Sequence, residues 1–135
     1  MTTYEEVFEY MKKHNDLPKG FNQWELANRY GWTVAHAAAT WNCLPKEFSQ
    51  WHLADGEGWT VAHQSASHGH LPKDFNQWEL ANRNGRTVAH EAATWGHLPK
   101  DFNQWDLKDN EGETVFETMA RYYRSLRCFF PDITW

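Results

Sequence analysis

The sequence predicts an all-α protein, a helical-repeat solenoid built from helix-turn-helix-loop units. Three observations lead there. Leu17-Pro18, Leu44-Pro45, Leu71-Pro72 and Leu98-Pro99 stand 27 residues apart. Each opens the same pattern, Leu-Pro-Lys-x-Phe-x-Gln-Trp-x-Leu, followed by Gly-x-Thr-Val. Blocks 17–43 and 71–97 differ at only six of 27 positions, without a gap. Self-similarity at a fixed period marks units that bury their apolar faces only by stacking on one another.

The elements follow in chain order. Val7 lies 27 residues before Val34, inside Tyr4-Glu5-Glu6-Val7-Phe8. Residues 1–16 therefore read as an N-terminal capping helix, and units follow at 17–43, 44–70, 71–97 and 98–113. Residues 114–135 read as a C-terminal capping helix and tail, the whole forming one domain. Thr33, Thr60, Thr87 and Thr114 follow a Gly-x pair and precede a helical run; a threonine there caps the first helix of each unit. Asn15, Asn42, Gly69 and Gly96 occupy the closing position of these helices, and Asn and Gly best tolerate the left-handed conformation needed. Tyr123 stands there in the last copy, so that helix is expected to run on. Leu-Pro reads as the start of a second, short helix with Pro at N1 and Glu47, Asp74 or Asp101 at N3. Phe and Trp three apart, as in Phe75 and Trp78, would share one face of it.

The stretch Asn84-Gly85-x-Thr87-x-x-His90-x-Ala92-Ala93-x-x-Gly96-His97 resembles the first half of an ankyrin repeat. The match recurs at 31–43 and 58–70 and weakens at 112–124. It departs from that family in its shorter period, where ankyrin has about 33 residues, in Val34, Val61 and Val88 at the ankyrin proline position, and in its Leu-Pro-x-x-Phe-x-x-Trp segment. The resemblance implies a concave binding face formed by loop tips and first helices.

His36, His63 and His90 invite a metal reading. Stacked units place equivalent residues about 10 Å apart, whereas zinc needs all its ligands at about 2 Å. The histidines instead fall at N3 after the Thr cap, where Glu117 stands in the last copy, and read as capping-box partners. His68, His70 and His97 crowd helix ends, where an adventitious surface metal is the alternative. Cys43 and Cys128 form no CxxC pair and read as free thiols in a reducing compartment. No nucleophile elbow, phosphate-binding glycine loop or set-apart carboxylate pair occurs. The sequence thus predicts no catalytic residue, cofactor or metal. The recurrent Phe and Trp read as core, and Gln23, Gln50, Gln77 and Gln104 as side chains bonding loop backbone between units.

Shared positions hold a stack together; positions that differ between copies are free to contact something else. The columns Tyr30/Glu57/Asn84/Glu111, Trp32/Trp59/Arg86/Glu113, Ala37/Gln64/Glu91/Thr118 and Trp41/His68/Trp95/Tyr122 vary most tellingly. Partner-binding residues are accordingly expected at Tyr30, Trp32, Trp41, Trp59, Gln64, His68, Arg86, Glu91, Trp95 and Glu113, the alternative being that Trp41 and Trp95 pad the gap between helices. Aromatics outside a core are typical interaction anchors.

The chain carries 13 Lys and Arg against 18 Asp and Glu, a net charge of −5, which argues against direct nucleic-acid binding. Aromatic content of 16% argues against disorder, and the apolar runs are too short for a membrane span. The polar, acidic start Thr2–Glu6 is not that of a secretory signal, so a cytoplasmic monomer is expected. The function expected is a non-enzymatic scaffold that binds a protein partner. The alternative is a small stand-alone inhibitor, such as an immunity protein or a phage-type antagonist of a bacterial defence system.

Overall fold

The computed structural model describes residues 2–129. It contains α1 (Tyr4–His14), α2 (Val34–Thr40), α3 (Val61–Ser67), α4 (Val88–Thr94) and α5 (Val115–Phe129). Among the described residues there is no strand, and each helix touches only the helices next to it in the chain. No helix there is long and apolar enough to cross a membrane. The tail 130–135 lies outside the described residues.

Each helix is set by its ends. In α1, Thr3 accepts from the Glu6 N–H, Glu5 and Glu6 fill the first turn, and Lys12, Lys13 and His14 fill the last. Both charge groups oppose the helix dipole. Tyr4, Val7 and Met11 form its buried stripe. The seven-residue helices α2, α3 and α4 are too short to stand alone. They persist because Val34, Val61 and Val88 and the alanines between them are buried against neighbours. Asn15, Asn42, Gly69 and Gly96 all take positive φ, between 55° and 75°. Beyond them the N–H of Cys43, His70 and His97 returns to the carbonyls of Ala38, Ser65 and Ala92 at 2.7–2.8 Å, closing the last turn. With Tyr123 at that place, α5 continues to Phe129.

The expected second helices do not form, so the helix-turn-helix-loop unit is corrected to one helix with turns. Phe21 N–H bonds the Pro18 carbonyl at 3.1 Å, and Leu26 N–H bonds that of Gln23 at 3.4 Å, two successive tight turns repeated in every copy. The physical reason is length and anchoring. A helix of barely two turns is costly to nucleate. The segment is instead held to the next helix, whose first N–H groups have no intrahelical acceptor and donate from Val34 and Ala35 to the Leu26 and Trp24 carbonyls at 2.8 and 3.3 Å. The recurrent glutamines are corrected too: their main-chain carbonyls close the second turn, while their side chains make no hydrogen bond among the described residues.

Phe and Trp from these turn segments form one edge-to-face series through all four copies. Ring centroids are 5.0 Å apart for Phe21–Trp24, 5.3 Å for Trp24–Phe48, and 5.5 Å for Trp78–Phe102. Contacts within a unit and between units alternate, so the same pair builds each unit and joins it to the next.

Candidate functional site

Two of the four variable columns, those of Tyr30 and Trp32, sit on hairpin loops that the repeated residues hold rigid, and the other two lie within the helices or at their C-terminal ends. Asn28 Oδ1 accepts from the N–H groups of Tyr30 and Trp32 at 2.9 and 3.1 Å. Asp55, Asn82 and Asp109 do the same for their loops. Such side-chain turns are what Asn and Asp do best, and their recurrence at one column was the signal that sequence reasoning missed. An isolated bridge, Ala27 to Thr33 in the first copy, closes each hairpin. Successive tips then bond each other: Gly56 N–H to Tyr30 carbonyl at 3.2 Å, Arg83 to Glu57 at 3.2 Å, Asn110 to Asn84 at 3.0 Å. At Gly58 a Cβ would lie 2.8 Å from the Arg83 nitrogen, so only glycine lets the loops come this close.

The histidines fix the spacing from below. His36 Nδ1 accepts from Thr33 N–H at 3.2 Å and meets its hydroxyl at 2.7 Å, completing a capping box. His63 and His90 repeat the arrangement with Thr60 and Thr87. The opposite nitrogen reaches the next hairpin: His36 Nε2 to Trp59 carbonyl at 2.8 Å, His63 to Arg86 and His90 to Glu113 at 2.9 Å. A carbonyl only accepts, so Nε2 carries the proton and the ring is neutral. Burial holds all three rings below the usual histidine range, and His63 is pushed down to about 4. Glu117 serves as cap at the last helix, with its carboxylate accepting from Thr114 N–H at 2.9 Å.

The ten expected partner-binding residues fall into bonded groups. Tyr30 is 66% exposed at the first tip, with the Arg29 guanidinium 4.9 Å over its ring. Trp32 and Trp59 are half-buried, with ring centroids 4.6 and 4.9 Å from those of His36 and His63. Trp59 Nε1 donates to Gln64 Oε1 at 2.9 Å, and Gln64 Nε2 donates to Thr40 on the preceding helix at 2.7 Å. Trp41 is half-buried against Phe8, centroids 5.3 Å apart, and pads the joint between α1 and α2. His68 is exposed and its ring meets the Gln64 carbonyl at 3.1 Å. Trp95 is 54% exposed, its indole N–H donating to Glu91 at 2.7 Å; burial raises the Glu91 carboxyl above its usual range against that bond and the Arg86 charge. Arg86 pairs with Asp109 at 3.3 Å and Glu113 at 3.1 Å, and Arg121 pairs with Glu113 at 2.6 Å. Burial works to raise Glu113, but the Thr118 hydroxyl and the two arginines outweigh it and hold it low.

Among the ten expected residues, exposed aromatic surface is thus concentrated at Tyr30 and Trp95, while Trp32, Trp41 and Trp59 are largely packed. Sequence reasoning missed Phe116, 58% exposed. It stands in the column of Ala35, Ala62 and Ala89, all fully buried, and a Phe in an otherwise alanine column was the available signal. His70 and His97 rings bond the carbonyls of Ala39 and Ala66 at 3.0 and 2.8 Å. No group of three or more His, Cys, Asp or Glu among the described residues is spaced to hold a metal. Burial raises the Cys43 thiol, the opposite of an activated nucleophile. No known family model matches the chain, and no curated protein matches it.

Proposed function

We propose that the chain is a non-enzymatic, ankyrin-like helical-repeat solenoid that binds a partner protein through its loop tips and first-helix face. The observation that carries this reading is the division of labour between columns. Repeated Asn, Asp, Gly, Thr and His make the hydrogen bonds that lock one hairpin to the next, and the side chains on that frame change from copy to copy. A surface ordered before binding loses little entropy on binding, and Tyr30 and Trp95 offer it two exposed aromatic anchors of the kind that dominate interfaces. His36, His63 and His90 are neutral, buried and bonded at both nitrogens, so these three rings belong to the frame. The scaffold is taken to act as a cytoplasmic monomer of one domain.

Covalent capture tests the reading. A photo-reactive residue in place of Tyr30 or Trp95 should crosslink one and the same protein in cells of the native host, whereas Glu25, exposed on the turn segment, should not capture it. Equal capture from all three positions would contradict a loop-tip interface.

A further inference from the structure

Trp95 differs from every other tryptophan among the described residues. Those of the turn segments lie edge-to-face with Phe rings, Trp41 lies on Phe8, and Trp32 and Trp59 lie on their capping histidines. The Trp95 ring is 54% exposed and meets no other ring and no cation among the described residues. The first hairpin tip shows what such a ring can hold, since the Arg29 guanidinium covers Tyr30 at 4.9 Å.

Glu91, at the edge of that ring, is short of donors. It is half-buried, and the Trp95 indole N–H at 2.7 Å is the only donor to its carboxylate among the described residues. Other half-buried acids have more: Asp55 accepts from the N–H groups of Glu57 and Trp59, and Glu113 accepts from Arg86, Thr118 and Arg121. The sister copy shows what Glu91 lacks. Gln64 stands in its column and also takes an indole N–H on Oε1, from Trp59, while its Nε2 donates to Thr40. Glu91 puts an acceptor where Gln64 has that donor, and Ser67, in the column of Thr40, spends its hydroxyl on the Gln64 carbonyl at 3.1 Å. Arg86 bonds Asp109, Glu113 and Thr94 but not Glu91. Burial accordingly holds the Glu91 carboxyl above its usual range.

We propose that Trp95 and Glu91 together receive a basic side chain, a lysine or arginine of the partner protein. This rests on the reading of Trp95 as an anchor of the interface and names the chemistry that it anchors. The 2.7 Å bond sets the carboxylate at the edge of the indole, so a cation lying on the ring can also donate to Glu91 Oε2. Trp is the aromatic side chain that attracts a cation best, and hydrogen bonds between ionised groups are the strong ones. The same two columns read Ala37 with Trp41, Gln64 with His68 and Thr118 with Tyr122, so only the third copy pairs an acid with the ring.

Titration of the full chain with N-acetyl-arginine amide and N-acetyl-lysine amide, followed by indole NMR, tests the proposal, with N-acetyl-citrulline amide as the uncharged control. The Trp95 indole signal should shift saturably. The better of the two cations, which tells arginine from lysine, should bind at least about fivefold more tightly than the citrulline compound. Glu91→Gln installs the residue of Gln64 and keeps an oxygen for the indole, so it should fold as before and lose the preference for charge. Shifts that do not saturate, equal affinity for the citrulline compound, or an unchanged preference in Glu91→Gln would each overturn it. The probes need no partner, so the two readings fail separately. A crosslink from the Trp95 position without any preference for a cation would overturn the basic side chain and leave the interface standing. A preference for a cation without a crosslink would support the subsite and overturn the interface.

Discussion

His63 is bonded on both sides: Nδ1 accepts from the Thr60 N–H at 3.3 Å within its own unit, and Nε2 donates to the Arg86 carbonyl at 2.9 Å in the next. One neutral imidazole caps a helix and sets the position of the following hairpin. His63→Ala loses the cap, the inter-unit bond and buried volume, and should cost about 2–4 kcal/mol by chemical denaturation. Glu117→Ala, at an exposed cap whose carboxylate bonds only Thr114 of its own unit, loses the cap alone and should cost about 0.5–1 kcal/mol. Equal losses at the two sites would show that capping alone explains the histidines.

The same geometry makes the protein acid-sensitive. A buried ring whose folded pKa is depressed favours the folded state while it is neutral, so its contribution is complete above the unfolded value of about 6.5. It is lost as pH falls toward the folded value, about 4 for His63. That shift corresponds to about 3 kcal/mol from His63, and His36 and His90 add to it in the same direction. Unfolding free energies measured from pH 7 to pH 4.5 should fall steeply across this window. A flat profile there would show that the rings are protonated in the folded state.

Within the aromatic series, position decides cost. Phe75 is buried between Trp51 and Trp78, at 5.6 and 5.0 Å, whereas Phe21 stands at the start of the series beside Trp24. Phe75→Ala should cost about 3–5 kcal/mol, a large part of the stability of a small domain. Phe21→Ala should cost clearly less. Equal melting temperatures for the two variants would contradict a continuous inter-unit core.

Arg86 stands in the column of Trp32 and Trp59 but is tied to Asp109 and Glu113 with only 25% of its side chain exposed. A double-mutant cycle of Arg86→Ala and Glu113→Ala should return a coupling of about 1 kcal/mol, as partly buried pairs do. A coupling of zero would return Arg86 to the free surface.

Fixed-period recurrence made the repeat legible, along with the Thr caps, the Asn and Gly helix ends, and the His capping boxes. These are local rules that each residue satisfies within a few positions of itself. The second helix misled because Pro at N1 with an acid at N3 also suits a tight turn. The difference is that a segment of barely two turns is costly to nucleate as a helix, and here it closes two successive turns and ties its Trp24 and Leu26 carbonyls to the next helix. The inter-unit bonds of His63 and Arg86 were hidden for the same reason, since a sequence shows which columns recur but not which column faces which. Trp32 and Trp59 looked exposed because they vary, yet each ring is packed on its own capping histidine.

Exchange of residues between copies tests the central claim, that recurrent positions hold the stack and variable ones bind. Tyr30→Asn installs the residue of Asn84, and Trp95→His that of His68, so both substitutions place side chains that the same columns already carry. Measured against the captured partner, the double variant should keep the wild-type melting temperature within a few degrees and bind at least tenfold more weakly, about 1.4 kcal/mol. Unchanged affinity in a fully folded double variant would contradict the account.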